Sequence, residues 1–153
     1  VDVLLDLLGG ADPHDHLEAL PALTGLHASA LALDRRGEEW PRVWGARGLR
    51  YLWDDSAGPA VVDGLHDPAW RVAEMCLKVA WQRELGAAAH PAASLAGHTL
   101  RRVRVAALRT LGVTGEHEDL AVVRGAMSDP DPQVRRSAAL ALSELTRRLD
   151  LVR

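Results

Sequence analysis

With a single cysteine, Cys76, among 153 residues, the chain has no intrachain disulfide framework to hold its fold and suits a reducing cytoplasm. No apolar run approaches the length of a membrane span. The start, Val1-Asp2-Val3, also has no basic segment followed by an apolar one, so neither a membrane anchor nor a secretory leader is expected. Lysine is nearly missing. Seventeen of the eighteen basic residues are arginine, Lys78 being the exception, and together with the many Ala, Gly and Leu this bias points to a high-GC bacterial genome. Nor is there a basic excess: the formal net charge is -3, with eight acidic and two basic residues in 1–39 ahead of a mildly basic remainder. That balance argues against a generic nucleic-acid binder. A chain opening without methionine is what a fragment of a longer protein shows.

Signatures of catalysis are equally scarce. There is no Gly-rich phosphate loop, no serine nucleophile elbow and no zinc-type Cys/His spacing. His14-Asp15-His16 offers two imidazoles that point apart on a helix, and His117-Glu118 is a lone pair at the start of a predicted helix, where acidic residues favour the dipole. Cys76 falls among small inward residues and reads as core. The expectation is therefore a protein without cofactor or metal, leaning away from enzymes.

What the chain does contain is a repeat. Val103-Arg104-Val105-Ala106-Ala107-Leu108-Arg109-Thr110-Leu111 returns as Val134-Arg135-Arg136-Ser137-Ala138-Ala139-Leu140-Ala141-Leu142. An apolar residue, a small one four places on and a leucine four further mark the inner face of a helix. Before the second copy, Asp131 can cap the helix and Pro132 can occupy its first turn. This combination, Asp-Pro-x-Val-Arg-x-x-Ala-Ala-x-Ala-Leu, resembles the HEAT-like repeats of the bilin-lyase type. The resemblance implies an all-α fold, a right-handed α-α superhelix of about four two-helix repeats filling 26–153, after an atypical N-terminal cap over 1–25. It also implies that an arginine beside the inner valine, Arg104, Arg135 or Arg71, bonds to a turn aspartate, Asp67 or Asp131.

Within the cap, Asp2 to Leu8 reads as a helix ended by Gly9-Gly10, and Asp12-Pro13 opens a second carrying Leu17, Leu20 and Leu23, which Pro21 bends or delays. First helices are predicted over 26–36, 59–65, 91–97 and 118–127. Aligning the second helices on Trp44, Val72, Val103 and Val134 gives successive spacings of 28, 31 and 31 residues, right for a two-helix unit. Four places on come Gly48, Cys76, Ala107 and Ala138; eight places on, Leu52, Ala80, Leu111 and Leu142.

The opposite side of these helices carries Arg42, Arg50, Trp53, Trp70, Lys78, Trp81, Arg101, Arg102 and Arg109. In the proteins the chain resembles, the second helices line a concave surface, which makes these nine residues the predicted partner-binding groove. Arg and Trp dominate binding hot spots because each buries a large area and keeps directional polar contacts. Taken singly, each tryptophan is more simply a packing residue. The expected function is a non-catalytic, cytoplasmic scaffold for a protein or peptide, without membrane association. The alternatives are a nucleic-acid or DNA-repair-type module, since alkylpurine DNA glycosylases use a similar groove and Glu74 with Asp54 or Asp55 would supply its acid, and a bilin-lyase-like enzyme or carrier of a small molecule.

Overall fold

The computed structural model describes residues 1–24 and 37–150, and among these it holds helices and loops but no strand. The helices are α1 (Asp2–Leu8), α2 (Leu20–Thr24), α3 (Trp40–Gly48), α4 (Gly58–Asp63), α5 (Trp70–Arg83), α6 (Ala89–Leu95), α7 (Arg101–Thr114), α8 (Leu120–Gly125) and α9 (Pro132–Arg148). Short helices with 3-10 turns beside them alternate with long ones, the hairpin pattern of an α-α solenoid. The first helix predicted over 26–36 lies outside the described residues. The chain divides into two compact units, Val1–Val79 and Ala80–Arg153, with α5 beginning in the first and ending in the second.

In the second unit the local signals and the packing agree. Asp131 caps α9, its Oδ1 accepting the Gln133 and Val134 N–H groups at 2.8 and 3.4 Å, and Pro132 stands at the first helical position, where no N–H is needed. Val134, Ala138, Ala141 and Leu145 then form the buried stripe. It lies against α7, whose Val103, Ala107 and Leu111 are fully buried. The closest approach falls at Gly112, where a Cβ would sit 3.1 Å from the Ala141 Cα. Beyond it, Arg148 on α9 donates to the Gly115 carbonyl at 3.0 Å, just past the end of α7. α6 packs on the other side of α7.

In the first unit α1 packs on α3, and Leu7, Leu20 and Trp44 form a core that Val3, Leu23 and Trp40 border. Asp12-Pro13 opens only a 3-10 turn, Pro13–His16, and α2 begins at Leu20, so Leu17 is left exposed. Here the register differs from the sequence expectation. Leu52, placed on the inner face, is 59% exposed, whereas Leu49 is fully buried. Counting back 31 residues at a time from Val134 gives Val103, Val72 and Pro41; from Ala138 it gives Ala107, Cys76 and Gly45; from Leu142 it gives Leu111, Ala80 and Leu49. The stride is therefore 31 throughout, and the alignment on Trp44 was three residues late. Trp44 is buried in its own right and Pro41 occupies the usual valine position, which hides the true register.

Two forked ion pairs carry the same stride. Arg42 binds Asp67 through Nε–Oδ2 at 2.7 Å and Nη2–Oδ1 at 3.3 Å. Arg104 binds Asp129 in the same way at 2.9 and 3.1 Å, again across 25 residues. Each aspartate also accepts the N–H two residues on, from Ala69 or Asp131, at 2.8 Å. The acid partner of Arg104 is thus Asp129, with Asp131 serving as the cap. The intermediate register positions hold Ala73 and His98, and alanine offers no cation. His98 still closes its turn, Nδ1 accepting the Leu100 N–H at 3.0 Å where the other turns use a carboxylate.

Candidate functional site

The fold assigns the nine predicted groove residues different environments. Arg42 is committed to Asp67, its Nη1 donating as well to the Glu38 carbonyl at 3.3 Å, so it braces two hairpins. Arg50 and Trp53 lie beyond the end of α3 at Gly48. Arg50 is half-buried, and the half-buried Trp53 donates its indole N–H to Asp55 Oδ1 at 2.9 Å. With the corrected stride Arg50 shares the register of Trp81, and the position shared with Lys78 and Arg109 belongs to Arg47, which is exposed and which the alignment on Trp44 missed. Equal spacing of 31 residues was the signal for it.

Helix α5 brings three of the nine together. Trp70 and Trp81 are eleven residues apart, which at 100° per residue leaves them about 20° apart on one side and roughly 16 Å apart along the axis. The half-buried Trp70 has the Arg71 guanidinium over its ring at 4.5 Å, and the same guanidinium lies 5.8 Å from Trp40. An ion pair from Arg71 to Glu39 at 3.3 Å completes that cluster, so Arg71 packs with two indoles instead of joining the turn ladder. Between the tryptophans, Lys78 Nζ sits 2.8 Å from Glu74 Oε1. The Glu74 side chain is almost wholly buried, so the lysine charge is spent on a carboxylate with little water around it. Trp81 is 44% exposed.

On α7, Arg101, Arg102 and Arg109 are all exposed. Arg101 is 3.7 Å from Asp131, and Arg109 has no acidic partner among the described residues. Asp129 titrates below the ordinary carboxylate value of 3.8, first because it accepts the Asp131 N–H and then because of Arg104.

Among the described residues no three of His, Cys, Asp and Glu gather as a metal site. His14 pairs with Asp12 at 2.8 Å and His16 with Asp6 at 3.5 Å, on different carboxylates. Glu118 is exposed, and the nearby buried Asp119 accepts the Glu116 N–H at 2.9 Å as a helix-start bond. Burial, with the Asp67 charge behind it, pushes the Cys76 thiol up to about 12, far from a nucleophile's range. No described helix is long and apolar enough to cross a membrane.

A family model described as HEAT repeats matches residues 58–143, from the start of α4 into α9 and more than half of the chain. No curated protein matches the sequence.

Proposed function

Because the chain belongs to the HEAT-repeat family, whose repeats generally serve as protein-interaction scaffolds, we propose that it is a non-catalytic scaffold that docks a protein or peptide on the outward side of its second helices. The observation that carries this reading is Trp81, a large aromatic 44% exposed one helical turn from Lys78, whose charge Glu74 already balances. An indole beside a neutralised lysine favours an apolar partner surface, since burying it removes a large hydrophobic area from water without stranding a charge. Trp70, three turns back along α5, extends the surface to the length of a short opposing helix. Arg101, Arg102 and Arg109 would add a cationic patch on α7.

The nucleic-acid reading draws less support. Phosphate binding needs cations that can replace condensed counterions. Of the groove cations, Arg42, Lys78 and Arg101 each have an acidic partner.

A photo-reactive residue substituted at Trp81, with Gly125 as the exposed control, tests the proposal in cells. We expect protein adducts at 81 that are absent at 125. A nucleic-acid adduct at 81, or the same adducts at both positions, would overturn it. In vitro, DNA should leave the tryptophan emission unchanged at low salt; quenching that salt reverses and Arg109→Glu abolishes would favour the nucleic-acid reading.

A further inference from the structure

A cavity of about 320 Å³ opens in the first unit, beside the ion-pair ladder and apart from the α5 surface. Its walls come from the loop after α1, the turn Pro13–His16 and the first turn of α3, including Asp12, His14, Glu38, Trp40 and Trp44. Gly10, at φ +92°, bends the loop that forms one wall, a conformation costly for any residue with a Cβ. Trp44 is buried in the core and Trp40 borders it, so the aromatic wall is anchored before anything binds.

Charge decides what the cavity accepts. Asp12 N-caps the turn through Oδ1, which takes both the His14 N–H at 2.9 Å and His14 Nδ1 at 2.8 Å. Its Oδ2 has no partner among the described residues. Those His14 bonds, the backbone one first, hold the carboxyl below its ordinary value, so it is an anion at neutral pH. Glu38 uses its carbonyl toward Arg42, but its carboxylate has no ion pair among the described residues. Arg42, also on the wall, is matched by Asp67 and adds no net charge. Two unneutralised carboxylates and an aromatic wall in one small cavity make a receptor for a cation, held by charge-assisted hydrogen bonds and by the negative faces of the rings.

We propose that this cavity binds one arginine side chain of a partner protein. Guanidinium fits better than ammonium because it is planar, stacks on indole and reaches two carboxylates at once. The same protein already places Arg71 over Trp40. A volume at the lower end of ligand pockets suits one side chain and not a nucleotide or an extended segment. The site stands whether or not Trp81 docks a partner.

The test is an NMR titration of the full chain, reading the five indole N–H signals, with an acetylated Gly-Ala-Arg-Ala-Gly amide and its citrulline counterpart, which has the same shape without the charge. The Trp40 signal, assigned by Trp40→Phe, should move saturably with the arginine peptide, and citrulline should bind at least about tenfold more weakly, the factor for 1.4 kcal/mol. Asp12→Asn with Glu38→Gln should lose a similar factor, since Asn keeps the cap and the fold. Equal binding of the two peptides, unchanged binding in the double variant, or no saturable shift at Trp40 would overturn the proposal. A shift at Trp81 alone would place the cation on the α5 surface and also refute this site.

Discussion

Replacing Gly45 by alanine separates helix propensity from packing, because the two push in opposite directions. In an isolated helix the change stabilises by about 0.5–1 kcal/mol. In α3, however, a Cβ on Gly45 would lie 2.5 Å from the Leu4 carbonyl oxygen and 2.7 Å from the Leu8 nitrogen, with Leu7 Cβ at 3.2 Å. The first two are backbone atoms of α1 and cannot rotate aside, so α1 must shift and loosen the packing of the buried Leu4, Leu7 and Leu8. Overpacking of this kind costs about 1–3 kcal/mol, more than the propensity gain. The net expectation is a loss of roughly 1–2 kcal/mol, or about 2–6 °C in Tm for a chain of this length. Calorimetry measures the drop, and amide exchange should place the new lability in α1. Gly125→Ala is the control: its Cβ meets nothing within 4 Å, so it should be neutral or stabilising. Gly45→Ala melting at or above the parent temperature, with the control behaving as expected, would refute the argument.

The turns and the core supply further expectations. The contribution of Asp129 is present above its ordinary value of 3.8 and is lost as pH falls through its lowered folded value; Asp129→Asn should therefore flatten the acid limb of stability measured by urea unfolding. His98→Ala strands the Leu100 N–H and should cost about 1 kcal/mol, whereas His98→Asp should keep the turn bond and most of the stability. Cys76, buried and with its thiol pushed up to about 12, should resist iodoacetamide at mildly alkaline pH in the native protein and react once denaturant is added, as mass spectrometry would detect.

The helices were legible from periodicity where a β-branched residue opens the inner stripe, at Val72, Val103 and Val134. Legibility failed where Pro41 took that place, although Arg42, Gly45 and Leu49 preserve the stride and were the better guide. A tryptophan attracts attention in a sequence by its size, and Trp44 is buried for a reason of its own, the core with Leu7 and Leu20. The candidate surface was legible as a set of residue types but not as chemistry. Arg42 and Lys78 look like free cations until folding supplies Asp67, 25 residues away, and a buried Glu74. The cavity at Asp12 and Glu38 could not be read at all, because it joins residues from two separated stretches that only the packing of α1 on α3 brings together.

The forked pairs also constrain how this chain can change length. A residue inserted within 105–128 moves Asp129 out of register with Arg104, and the turn that Asp129 closes shifts with it. A duplication or excision of 31 residues instead returns an arginine to face an aspartate. Over the ladder, then, drift by single insertions is penalised while gain or loss of a whole hairpin is tolerated, so lineages of such a protein should differ in steps of one hairpin and not of one residue.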